Sequence, residues 1–494
     1  MKTGFDNNKY LKIQRAAILE RIEKYGDKLY LEFGGKLFDD FHASRVLPGF
    51  KPDSKLQMLL GIKNKVEIII AINANDIVSN KMRADVGITY QDDVLRLIDT
   101  YREVGLYVSS VVISFYEDIH SIIEFKKKLE NNDIKVYKSY RINGYPQNIP
   151  LIVSNEGLGK NEYVVTTRPL IVVTAPGPGS GKMAVCLSQL YHENKRGLRA
   201  GYAKYETFPV WNLPLLHPVN LAYEAATVDL QDVNMIDPYH LEAYNKLAVN
   251  YNRDVEVFPL LKEIFKQIYG ESPYQSPTDM GVNMVGFAIS DEAKVKDACQ
   301  REIVRRYFET RIKIYQGKLE DSALEKIDFL MKKAETSIEK RKCVKACNDM
   351  FKIKNEPTMA IELPNKKIVT SHRSELLSSG AALLLNACKS LAKLDKNLLL
   401  LSPTVVKSVH NIKVDTLHRS YTRLRCEEIL LILSIQAQTN PLADLILKQI
   451  PKLKGLEAHS SHILSEVDRD TFKRLGINIT EEPMSYKHRL YYKS

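Results

Sequence analysis

The residues with the clearest chemical potential stand together between positions 171 and 194. Ile171-Val172-Val173-Thr174 is an apolar, β-branched run. Ala175-Pro176-Gly177-Pro178-Gly179-Ser180-Gly181-Lys182 follows it, and residues 182–194 then place Ala184, Leu187, Leu190 and Tyr191 at helical spacing. A buried strand, a glycine-rich turn and a helix in that order read as a P-loop-like strand–loop–helix. Glycines let a backbone fold so that several N–H groups converge on one anion. The helix start contributes partial positive charge and Lys182 a full one, so phosphate is the expected guest. Gly177, Gly179, Ser180, Gly181 and Lys182 are the expected phosphate ligands, and ATP or GTP with magnesium is the candidate cofactor. Two positions depart from the usual nucleoside-triphosphate loop: Pro176 stands at the first glycine, and Met183 replaces the Ser or Thr that ligates magnesium. A metal would need another residue to hold it. The plain alternative is a glycine-rich turn with Lys182 in solvent.

Other polar residues follow apolar runs, where ligands of parallel sheets bind. Asn73, Asn75 and Asp76 follow 66–72; Tyr116, Glu117 and Asp118 follow 107–115; Lys204, Tyr205 and Glu206 follow 201–203; Asp229 and Asp232 follow 226–228. Asp229 is the candidate magnesium ligand, and Lys182, Glu206 and Asp229 form the candidate catalytic set. For each acid, a helix cap or a solvated surface position is the bland reading. Near the start, Phe33-Gly34-Gly35-Lys36 precedes Asp39, Asp40, His42 and Arg45; Lys36, His42 and Arg45 together suit an anionic substrate, and a turn between strands is the plain alternative. Cys343 and Cys347 share a helix face beside Arg341, Lys342 and Lys345, cations that argue against a metal there. His459 and His462, three apart on an expected strand, would face opposite sides. The Ser374 hydroxyl is expected to cap a helix that opens after Thr370-Ser371-His372-Arg373 and to offer a second anion seat. Zinc-deaminase, zinc-protease and α/β-hydrolase motifs are absent from the sequence.

The elements that must position these groups alternate in the α/β manner. Helices are expected at 9–25, 92–103 and 118–131, and strands at 66–72, 107–115, 134–140 and 170–174. That alternation predicts βαβ units and a mostly parallel sheet. From 239 the pattern turns helical, over 240–268, 291–314 and 319–350, and strands return at 359–363, 396–401 and 458–464. The expectation is an α/β phosphate-binding domain at 1–238, a helical middle domain at 239–352 and a smaller C-terminal α/β domain at 353–494. With 494 residues, 44% hydrophobic and 27% charged, the chain suits several folded domains. Its net charge of +11 is scattered, so a phosphorylated small molecule is a better partner than nucleic acid. Six dispersed cysteines read as reduced thiols. With no apolar leader and no run of 18 apolar residues, the expected compartment is the cytoplasm, without a membrane partner.

Three strings resemble the uncharacterised bacterial protein family 0371, a domain-of-unknown-function family. They are Phe33-Gly34-Gly35-Lys36-Leu37 with 39–50, Ala175 to Met183, and Glu457-Ala458-His459-Ser460-Ser461. The likeness spans essentially the whole length and implies that Met183 belongs to the family's own loop pattern. It brings no established activity. The residues themselves favour a nucleotide- or phosphometabolite-binding enzyme performing phosphoryl or nucleotidyl transfer. The alternative is a non-catalytic phosphometabolite sensor or assembly factor that forms homo-oligomers through its long helices.

Overall fold

The computed structural model describes residues 3–485 apart from 27, 36, 39, 84–86, 231 and 420. Two compact units meet in sequence at Cys299/Gln300. The first is built on a six-stranded sheet: β1 (Leu29–Phe33), β2 (Val66–Asn73), β3 (Tyr107–Ser114), β4 (Lys135–Lys138), β5 (Leu170–Thr174) and β6 (Gly201–Tyr205). Their spatial order is β4-β3-β2-β5-β1-β6, and every neighbouring pair is parallel. The α/β class with a parallel sheet is therefore as the alternation predicts. The central strands β1, β2 and β5 are buried almost along their whole length because helices cover both faces. Glu67 at the start of β2 is fully buried, and its Oε2 accepts from the Thr167 and Arg168 amides at 2.8 and 3.1 Å.

Helices of this unit include α1 (Asn7–Lys24), α2 (Phe41–Val46), α3 (Tyr90–Glu103), α4 (Lys182–Lys195), α5 (Pro218–Ala226) and α6 (Asn252–Tyr269). The helix α4 packs over β1, β5 and β6. Residues 226–228, read from sequence as the end of a strand, instead close α5 and enter a 3-10 turn, with the Thr227 amide donating to Tyr223. A three-residue β-branched run is too short to override the helix before it. The helix expected over 240–268 is also interrupted. Asn245 takes φ +50, Val249–Tyr251 pairs antiparallel with Asn234–Ile236, and α6 begins only at Asn252.

The second unit holds a mixed sheet of β7 (Thr358–Glu362), β8 (Ile368–His372), β9 (Glu457–Ser460) and β10 (Asn478–Glu481), ordered β8-β7-β9-β10. It is flanked by α7 (Lys342–Lys354), α8 (Ser379–Leu391), α9 (Cys426–Gln436) and α10 (Glu466–Arg474). Its core gathers Leu383, Leu384, Ile429, Leu433, Ile446 and Phe472. The strand expected at 396–401 is a turn and loop, tied by the Asn397 amide to Asp395 at 2.7 Å. Residues 370–374 do not open a helix. They end β8, which folds back on β7 through a turn with Lys366 at φ +66, and Ser378 is the hydroxyl that caps α8, accepting from the Ala381 amide at 3.1 Å.

Candidate functional site

The loop between β5 and α4 is held by groups far away in sequence. Asn73, at the end of β2, donates through Nδ2 to the Gly179 carbonyl at 3.0 Å. Ser114, at the end of β3, donates to the Ser180 carbonyl at 2.9 Å. The Ser180 side chain is buried and donates to the Gly177 carbonyl at 2.8 Å, so only its amide can meet a ligand. Gly179 and Gly181 take φ +75 and +85, and Gly181 caps α4 without a side-chain acceptor. A Cβ on Gly177 would lie 2.2 Å from the Tyr90 hydroxyl, and one on Gly181 would lie 2.7 Å from Ser114 Oγ. The Gly177, Gly179 and Ser180 carbonyls are thus engaged while the amides that follow them are not. Among the described residues, the amides of Gly179, Ser180, Gly181, Lys182, Met183 and Ala184 have no acceptor. The half-buried Lys182 makes no ion pair or hydrogen bond among those residues. Open amides at a helix start beside an ammonium are complementary to an oxyanion.

Topology brings a second loop alongside. The chain leaves β1 toward β2 across β5, whereas it leaves β5 toward β6 across β1. Adjacent strands whose connections depart in opposite directions create a crevice at their carboxyl ends, where ligands of open α/β sheets bind. Gly34 and Gly35 follow β1 there, with the Gly34 amide donating to Tyr205 at 2.8 Å and Gly35 at φ +71. Lys55 stands 2.9 Å from Asp40, which also accepts from Thr207 at 3.2 Å, so these groups brace the loop. Arg45 lies half-buried on α2, in the same connection.

A half-buried charge cluster lines the β6 side. Lys204 Nζ sits 2.7 Å from Asp254 on α6 and 3.3 Å from Glu206, whose side chain packs against Gly34. Burial alone would pull Lys204 down, but the Glu206, Asp254 and Glu32 carboxylates outweigh it and hold the ammonium above the ordinary lysine value. Burial lifts the Glu206 carboxyl above its ordinary value; Lys204 opposes this, and Asp254 and Glu32 add to it. Glu32 on β1 accepts from the Tyr202 hydroxyl at 2.6 Å. Burial and Glu32 push the Cys186 thiol up while Lys182 pulls it down, so the cluster reaches electrostatically to the first turns of α4.

Comparisons with known proteins give the family. The description "Domain of unknown function DUF1846, N-terminal" matches residues 3–335, and its C-terminal counterpart matches 339–492. A UPF0371 protein of Streptococcus pyogenes serotype M5 (strain Manfredo) is 51% identical over 494 residues, covering 100% of both chains. The chain belongs to the UPF0371 family. A UPF0371 protein of Streptococcus equi subsp. zooepidemicus is 50% identical over 488 residues, 99% of each chain.

In this UPF0371 chain the predicted residues fall into three sets. Gly177, Gly179, Ser180, Gly181 and Lys182 form one loop after β5, and Glu206 follows β6, on the far side of β1 from that loop's strand. Asp229 lies apart from the strand ends, exposed on the 3-10 turn after α5, and Asp76 pairs with Lys81 at 3.1 Å. Lys36 lies outside the described residues. Among the described residues no group of three or more His, Cys, Asp or Glu side chains is arranged to hold a metal. No helix among them is long and apolar enough to cross a membrane. Sequence reading missed Tyr90, Ser114, Lys55, Asp254 and Glu32. Of these, only Ser114 carried a usable signal, as a hydroxyl closing an apolar strand.

Proposed function

We propose that this protein binds a nucleotide or a phosphorylated metabolite at the β5–α4 loop and catalyses phosphoryl or nucleotidyl transfer. The observation that supports this reading is the P-loop-like run of acceptor-free amides from Gly179 to Ala184 beside Lys182, at the switch point of a parallel sheet. Backbone N–H groups would hold the phosphate, and Lys182 would neutralise charge that develops during transfer, which is most of what this chemistry requires. Glu206, with its raised carboxyl, would accept or deliver a proton. Met183 offers no oxygen to a magnesium ion, so magnesium would arrive on the nucleotide phosphates. Incubation with γ-labelled ATP or GTP and magnesium tests the catalytic part. Wild type is expected to release or transfer label at least tenfold faster than Lys182→Ala. Equal, background rates for both proteins would overturn the catalytic reading.

A sensor or assembly role is the second reading, favoured by exposed apolar side chains on the second unit. Leu431 and Ile435, four residues apart on α9, are 60% and 71% exposed. Binding of a phosphometabolite without turnover would support it.

A further inference from the structure

A second cluster of cations lies in the other unit, on segments that the proposed reaction does not use. Leu377 and Leu424 form a parallel bridge, the Leu424 amide donates to Leu376 at 2.8 Å, and the Ser378 amide donates to Leu424 at 2.9 Å. Residues 374–378 and 421–425 therefore run side by side between the end of β8 and the start of α9. Leu424 is buried in the core. Tyr421, Arg423 and Arg425, on either side of it, are half-buried. The Arg425 guanidinium lies 4.8 Å from the Tyr421 ring centroid, and Lys413 Nζ lies 5.8 Å from it. Arg423 donates through Nε to the Ser374 carbonyl at 2.5 Å, which brings it beside Arg373.

Each acid nearby already has a partner other than the Arg423 and Arg425 guanidinium groups. Glu356 pairs with Arg373. Glu428 accepts from Lys413 at 2.8 Å and from the Arg425 amide at 2.7 Å, and Asp468 accepts from the Cys426 amide at 2.8 Å. Arg423 and Arg425 are half-buried, and neither guanidinium has a carboxylate partner among the described residues. Burial and Asp468 raise the Tyr421 phenol, while Arg423, Arg425 and Arg373 oppose that. Half-buried like charges two residues apart repel each other and lose hydration, and a bound anion relieves both costs.

We infer that Arg423 and Arg425, with the Tyr421 hydroxyl, form a site in the second unit for the phosphoryl group of a small molecule. A planar carboxylate is filled by one guanidinium fork, whereas a tetrahedral phosphoryl group offers oxygens to two forks.

Calorimetric titration with inorganic phosphate tests the site, using the full chain carrying Lys182→Ala so that the loop contributes least. The expected result is saturable binding that weakens at least tenfold when Arg423→Ala and Arg425→Ala are added. Arg423→Lys with Arg425→Lys keeps the charge and removes the forks, so it is expected to weaken binding at least threefold. If circular dichroism shows that the alanine pair is unfolded, the lysine pair decides. An absence of phosphate binding, an unchanged affinity in the folded variants, or tighter binding of citrate than of phosphate would overturn the inference.

Discussion

Gly181 shows how narrowly the loop is specified at the residue scale. Its φ of +85 is a left-handed conformation, and a Cβ there would sit 2.7 Å from the Ser114 hydroxyl that holds the Ser180 carbonyl. Gly179 has a similar φ of +75, but nothing lies within 4 Å of the place a Cβ would take. The two glycines therefore separate backbone strain from steric conflict. Gly179→Ala is expected to cost about 1–2 kcal/mol, the penalty for a left-handed alanine. Gly181→Ala should cost at least about 1 kcal/mol more, because Ser114 must also move, and strain at such sites runs to about 3 kcal/mol. Urea denaturation of the two variants checks the order. Equal losses would mean that Ser114 does not restrain the loop.

At the scale of elements, the interior strand β9 of the second sheet gives a pH prediction. His459 on β9 is buried, with Nδ1 2.9 Å from the Thr480 hydroxyl, and burial lowers its pKa. His462, just past β9, is lowered to about 4 by burial and by the neighbouring Arg373. Both rings are thus favoured neutral in the folded protein, and an unfolded histidine titrates near 6.5. The His462 contribution is complete above pH 6.5 and is lost as the pH falls from there toward 4, and His459 acts in the same direction. Between those values wild type should lose about 2–4 °C more in Tm than His462→Asn, the shift that 1 kcal/mol produces in a domain of this size. Parallel melting curves for both proteins would contradict the assignment. What the sequence discloses about elements follows from the same local physics. β2 and β5 were legible because unbroken β-branched runs have few alternatives to a doubly covered strand. β8 was not, because Ile368-Val369-Thr370-Ser371-His372 is short and its partner β7 supplies the pairing. Nor could sequence show that Ser114 and Asn73 hold the loop, since 66 and 106 residues separate them from the carbonyls they bind.

Over the whole molecule, charge is distributed in a way that composition conceals. The net +11 looks scattered along the chain, yet folding gathers unpaired cationic groups at Lys182 in one unit and at Arg423 and Arg425 in the other. Family membership extends over both units, so each is a regular part of a UPF0371 protein. The central claim concerns the first of these places, and titration calorimetry with ATP and magnesium on wild type and Lys182→Ala tests it most directly. Wild type should release heat that saturates, and should gain about 2.7 kcal/mol of stability at a hundredfold excess of ligand over its dissociation constant. Lys182→Ala should bind at least tenfold more weakly. Identical isotherms for the two proteins would show that the ligand sits elsewhere and that the amides between Gly179 and Ala184 hold no phosphate.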